Sequence, residues 1–179
     1  IAAQVETELM DERLGRAVDV AAGIRIRPGD GAEIDDVAPS AWYVDALVWG
    51  RDTGLVAGFG DATFRPVAPV TRAQAVAWLW AEAGRPIPSA AHSFTDVGRH
   101  AWFAAALSWA AGEGIAAGFG DGSFRPAEPV SRAQLAAMLW KRADRPPSAG
   151  AGVFTDVVPG ARYAPAVAWI TEMGYAGGL

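Results

Sequence analysis

The chain has 179 residues, a formal net charge of −5 and 51% hydrophobic residues. That is enough apolar material for a core, which excludes general disorder. The weakly acidic balance argues against generic nucleic-acid binding, where phosphate rewards a basic surface. The chain has no cysteines, so disulfides, thiolate metal sites and cysteine catalysis are excluded. No apolar run approaches the length of a membrane span. Lys141 is the one lysine and the other basic residues are arginines, a bias that fits either a GC-rich genome or planar, bidentate recognition of carboxylates.

In chain order, residues 1–33 read as a linker or the end of an upstream domain. Val5, Leu9, Leu14 and Val18 give 1–24 a modestly amphipathic helical pattern. Pro28-Gly29-Asp30-Gly31 reads as a turn. The chain begins at Ile1 rather than Met. It is therefore expected to be a fragment of a longer protein, and a missing leader carries no information.

From residue 34 onward the sequence repeats. Ala41-Trp42-Tyr43 returns as Ala101-Trp102-Phe103 and as Ala161-Arg162-Tyr163, each step being 60 residues. The same step carries Ile34-Asp35-Asp36-Val37 to Phe94-Thr95-Asp96-Val97 and Phe154-Thr155-Asp156-Val157. It also carries Gly58-Phe59-Gly60-Asp61 to Gly118-Phe119-Gly120-Asp121, and Thr71-Arg72-Ala73-Gln74 to Ser131-Arg132-Ala133-Gln134. No insertion is needed. The boundaries are 34–93, 94–153 and 154–179, the last being the first half of a repeat. A period of this size signals a repeat architecture.

Within a repeat, the spacing predicts a helix over about 101–113. Phe103, Ala106, Leu107 and Ala110 fall on one face, and Gly114 sits at the C-terminal cap. The matching faces are Tyr43, Ala46, Leu47, Gly50 and Tyr163, Ala166, Val167, Ile170. A glycine loop follows, 118–126, whose Phe119 and Phe124 can plug a core. Thr71 with Gln74, and Ser131 with Gln134, then open a second helix through a capping box. Arg85-Pro86 and Arg145-Pro146 end it. Neighbouring units must pack together, because one alone cannot bury both faces.

Arg72 and Arg132 occupy the first helical position in both full copies. Positive charge there opposes the helix dipole at a cost of about 0.3–1 kcal/mol. Free N–H groups at a helix start attract anions, and a guanidinium fork adds a carboxylate or phosphate receptor. A structural ion pair with Asp36 or Asp96 is the competing reading, and both stay open. Of the eight tryptophans, Trp49, Trp109, Trp169, Trp80 and Trp140 read as packing residues. Trp42 and Trp102 lie one position off the inner face and are candidates to stack on sugar rings. Asp61 and Asp121 read as turn formers, since the ligands of a calcium loop are missing. Gly60 and Gly120 could let a sugar approach the backbone. Asp36, Asp96 and Asp156 read as caps of the first helix or partners of nearby backbone groups, with ligand contact as the alternative. The two histidines, His92 and His100, form no metal-ligating pair. No nucleophile elbow, phosphate loop or dinucleotide fingerprint occurs. No catalytic residue, metal or cofactor is therefore expected.

These motifs, in this order and at one spacing, make residues 34–179 resemble the S-layer homology family. The resemblance implies an all-α fold of tandem helix–loop–helix repeats in a pseudo-threefold arrangement, here with a truncated third repeat. It implies a secreted, non-catalytic module at the bacterial cell wall that binds an anionic secondary cell-wall polysaccharide, often bearing pyruvate ketals. The family's binding arginine carries over to Arg72 and Arg132. Thr71, Ser131, Gln74, Gln134, Trp42, Trp102, Gly60, Gly120, Asp36 and Asp96 complete the expected site. Partners expected are wall polysaccharide and, through self-association, further copies, with no nucleic acid. A structural S-layer protein, the anchor of a wall-active hydrolase, and a helical scaffold for protein partners are the alternatives.

Overall fold

The computed structural model describes residues 34–148, 154–158 and 160–176. The helix expected over 1–24 and the turn at Pro28-Gly29-Asp30-Gly31 lie outside them. The described residues form five α-helices: α1 Val44–Asp52, α2 Arg72–Glu82, α3 Ala104–Gly112, α4 Arg132–Arg142 and α5 Ala164–Glu172. No strand occurs among the described residues, and Thr71 and Pro129 share one antiparallel bridge. The all-α fold expected from the sequence is the fold found.

Helix α3 begins at Ala104, three residues later than its periodicity suggests. Ala101, Trp102 and Phe103 form a turn instead, closed by the Ala104 N–H to the Ala101 carbonyl at 2.8 Å. The same turn precedes α1 and α5, with bonds from Val44 to Ala41 at 3.0 Å and from Ala164 to Ala161 at 2.9 Å. None of these three helices has a side-chain cap. The opposite end is a glycine cap. Gly114 sits at φ 68°, and the Ile115 N–H reaches the Ala110 carbonyl at 2.8 Å.

Helices α2 and α4 start with complete capping boxes. The Thr71 and Ser131 hydroxyls accept from the N–H groups of Gln74 and Gln134, whose side chains accept from the Thr71 and Ser131 N–H groups. They end alike too. The Trp80 indole N–H donates to the Pro86 carbonyl and that of Trp140 to the Pro146 carbonyl, both at 2.8 Å. Arg85 and Arg145, each before a proline, take positive φ at these ends.

The chain divides into two compact units, residues 1–68 and 69–179. In the first, Ile34, Val37, Val44, Leu47 and Val48 form a small core, with Phe64 packed against it. In the second, α2 packs on α3, α4 packs on α5, and α2 touches α4. Val76, Leu107 and Phe124 are fully enclosed at the centre of its main core. A smaller cluster gathers Ala136, Ala166 and Ile170. The packing partner of the second helix of repeat 1 is thus the first helix of repeat 2.

Candidate functional site

Each glycine loop is built around two carboxylates. Asp96 accepts from the backbone N–H groups of Phe124 and Arg125, both at 2.7 Å, and Asp36 accepts from those of Phe64 and Arg65 at the same distances. These aspartates therefore bind the loop's own backbone, and none of the first helices draws a side-chain cap from them. Partial desolvation pushes the Asp96 carboxyl up, but the bonds from Phe124 and Arg125 outweigh it and hold the group below its ordinary value.

At the tip, Asp121 accepts from the Ser123 hydroxyl at 2.6 Å, the Ser123 N–H at 2.9 Å and Arg125 Nη2 at 3.1 Å. Asp61 repeats this with the Thr63 hydroxyl at 2.6 Å, the Thr63 N–H at 3.2 Å and Arg65 Nη2 at 2.8 Å. The hydroxyl bonds first, and then the surrounding N–H and guanidinium donors, hold both carboxyls at about 2. The guanidinium of Arg125 lies 3.8 Å from the centre of the Phe119 ring, and that of Arg65 lies 3.9 Å from the centre of Phe59. Sequence reasoning assigned no role to Arg65 and Arg125. Their recurrence between a phenylalanine and a proline is the signal that was available.

Arg72 is only 8% exposed. Its Nε donates to the Phe124 carbonyl and its Nη2 to the Ala117 carbonyl, both at 2.8 Å. Its guanidinium also faces the Phe124 ring, 4.5 Å from the centre. Burial pushes its pKa down, opposed by the charges of Glu128 and Asp96, yet an arginine stays protonated. The N–H groups at this helix start are engaged as well. Arg72 donates to the Glu128 carbonyl at 2.9 Å, Ala73 to the Pro126 carbonyl at 3.0 Å, and Gln74 to the Thr71 hydroxyl at 3.3 Å. The first turn of α2 is thus a clasp on the 124–128 segment of the next repeat. Asp36 and Asp96, the expected ion-pair partners, are committed to backbone N–H groups.

Arg132 holds the equivalent position on α4 and is exposed. It lines a cavity of about 330 Å³ with Ala136, Tyr163, Val167 and Tyr175 among its neighbours. Ser131 and Gln134 are exposed, whereas Thr71 and Gln74 are half-buried, all four being used in capping.

Trp42 is 93% exposed and Trp102 70% exposed. Each stands edge-on to the next aromatic ring, Tyr43 at 5.5 Å and Phe103 at 5.3 Å between centres. Of the tryptophans read as packing residues, Trp109 is buried in the main core, while Trp49, Trp80, Trp140 and Trp169 are half-buried. A Cβ added at Gly60 or Gly120 would meet nothing within 4 Å, and neither residue has a positive φ. Packing inside the chain gives no reason for glycine there. Gly118 differs, because a Cβ would run into the Phe94 ring and the Ser123 carbonyl. Among the described residues no group of three or more His, Asp or Glu is placed to hold a metal ion. None of their helices is long and apolar enough to cross a membrane.

Two matched loops, each locked by a repeat-opening aspartate, bear directly on the family assignment. The S-layer homology domain matches residues 33–76 and 93–136. The chain carries tandem S-layer homology domains. It is 29% identical over 110 residues to cell surface glycoprotein 1 of Acetivibrio thermocellus, covering 60% of this chain and 5% of that protein. It is 33% identical over 99 residues to the middle cell wall protein of Brevibacillus brevis and to a surface layer protein of Brevibacillus choshinensis. Each of those matches covers 53% of this chain and 9% of the relative. The chain thus spans a small part of the relatives it matches. The S-layer homology domain is a non-catalytic anchoring module, and these matches place the chain at the cell surface in an anchoring role.

Proposed function

We propose that this chain anchors its parent protein by binding an anionic secondary cell-wall polysaccharide, with pyruvate ketals as the anionic groups that suit it. The observation that carries the reading is the pair of outward indoles, Trp42 and Trp102, set one repeat apart in the sequence and both largely in solvent. Burying an aromatic side chain stabilises a fold by about 1.5–3 kcal/mol, and these two contribute little of that. A planar apolar face in water suits the apolar face of a sugar ring. Gly60 and Gly120, open on their outer side, leave the loop backbone accessible to the same ligand.

The two helix-start arginines divide the remaining work. Arg72 spends its donors on carbonyls, so its proposed part is to hold the second repeat's loop in place. Arg132 is exposed, and the direct contact with an anionic group falls to it. Thr71, Ser131, Gln74, Gln134, Asp36 and Asp96 contribute within their own units, by capping helices and fixing loops.

Sedimentation with purified cell walls tests the proposal. Replacing both Trp42 and Trp102 with Ala is expected to weaken binding at least tenfold, with circular dichroism unchanged. Arg132→Ala is expected to weaken it further and to flatten its salt dependence. Undiminished binding by the double tryptophan variant would overturn the reading. So would binding that survives chemical extraction of the wall polysaccharide.

A further inference from the structure

The two outward indoles stand on the same backbone but among different charges. Each sits in the second of two consecutive turns. In the first repeat the Ala41 N–H donates to the Ala38 carbonyl at 2.9 Å, and the Val44 N–H to the Ala41 carbonyl at 3.0 Å. In the second, the Ala101 N–H donates to the Gly98 carbonyl at 3.0 Å, and the Ala104 N–H to the Ala101 carbonyl at 2.8 Å. The leading turn places Pro39 and Ser40 ahead of Trp42, but Arg99 and His100 ahead of Trp102, all four exposed. Proline suits the first central position of a turn because its φ is preset, and Arg99 gives that advantage up. Among the described residues neither Arg99 nor His100 makes a side-chain hydrogen bond or ion pair. Asp96, the nearest acid before them in the sequence, is taken by the N–H groups of Phe124 and Arg125. On the helix side the charge reverses. The first turn of α1 carries the exposed Asp45, whereas that of α3 carries no acid and has Ala105 at the matching place.

We propose that the two indoles read different sugars. Trp102, with Arg99 and His100, takes a sugar bearing a carboxylate. Trp42, with Asp45, takes an uncharged one. The inference rests on the proposed stacking of sugars on both indoles and adds a selectivity that the indoles alone lack. An indole face covers the apolar face of any sugar ring. The guanidinium fork of Arg99 can donate two parallel N–H bonds to a carboxylate, and the His100 imidazole carries a further donor. An acid three residues after Trp42 repels a carboxylate and accepts bonds from sugar hydroxyls instead. Neither turn geometry nor pairing inside the chain accounts for Arg99 and His100, so an external anion is what they fit. This contact is additional to that of Arg132. A wall polymer that satisfies both copies carries charged and uncharged sugars.

Two probes test this by titration calorimetry with the whole chain. One is purified wall polysaccharide. The other is the same polymer after carbodiimide activation and borohydride reduction of its carboxylates to alcohols. Arg99→Ala combined with His100→Ala is expected to weaken binding of the native polymer about tenfold, as loss of a charge-assisted hydrogen bond does. The same variant should bind the reduced polymer as the parent does. Trp42→Ala is expected to weaken both polymers by one common factor, and Asp45→Arg to strengthen binding of the native polymer alone. An Arg99 and His100 variant that loses equally on both polymers, or on neither, would overturn the inference. Wall anchoring by the indoles would survive that result as long as the double tryptophan variant still binds poorly. If the double tryptophan variant bound both polymers like the parent, both readings would fall.

Discussion

At the residue scale, Arg72 shows how a charge set against a helix dipole is retained. The dipole penalty is about 0.3–1 kcal/mol. Two hydrogen bonds from a charged donor contribute about 1.5–3 kcal/mol each, so the clasp on the Phe124 and Ala117 carbonyls wins. Arg72→Ala leaves both carbonyls without this donor. We expect a loss of about 3 kcal/mol in urea unfolding, and a loss below about 0.5 kcal/mol would contradict this account. The loop aspartates give a pH prediction. Asp61 and Asp121 titrate at about 2, below their ordinary 3.8. A depressed carboxyl stabilises fully above its unfolded pKa, and the benefit disappears as pH falls through the folded value. Loop stability should therefore decline between about pH 4 and 2. Carboxyl NMR titration checks both values. Ser123→Ala should raise Asp121 toward its ordinary range and leave Asp61 at about 2. The arginine's position at a helix start was legible in the sequence. Its partners were not, because they are backbone carbonyls 45 and 52 residues away, and a carbonyl has no residue type to recognise.

At the element scale, local chemistry and local spacing agree closely with what forms. The capping boxes at Thr71 and Ser131, the glycine cap at Gly114 and the stops at Arg85 and Arg145 involve residues within one turn, so sequence reveals them. The starts of α1, α3 and α5 were less legible. Ala101-Trp102-Phe103 continues a helical pattern but folds as a turn, which projects Trp102 into solvent. The first glycine loop holds a residue with a Cβ in a left-handed conformation. Ala62 takes φ 62° where the repeat places Gly122 at φ 79°. A left-handed conformation costs a residue with a Cβ about 1–2 kcal/mol, and glycine loses part of that gain to chain entropy. Ala62→Gly should stabilise the first unit by about 0.5–1 kcal/mol. Differential unfolding of this variant against the parent checks it, and a net loss would show that the strain is relieved in another way.

At the scale of the whole molecule, the repeat in the sequence and the unit in space are out of phase. The sequence repeats over 34–93 and 94–153, whereas the compact units divide between Ala68 and Pro69. A fragment of residues 34–93 keeps α2 but loses α3, against which α2 packs. It should show little helicity from α2, since an isolated helix of that length is marginal in water. A fragment of residues 69–148 keeps both and should unfold cooperatively by circular dichroism. The reverse result would show that the sequence repeat is the folding unit. The period, the helical class, the caps and the tandem S-layer homology pattern were determined by the sequence alone, because each depends on residues close together along the chain or on identity between copies. Tertiary structure decided where the repeats join, that Arg72 turns inward while Arg132 stays exposed, and that Trp42 and Trp102 face water. The physical reason is shared: those outcomes depend on which carbonyls and apolar surfaces meet across distant segments.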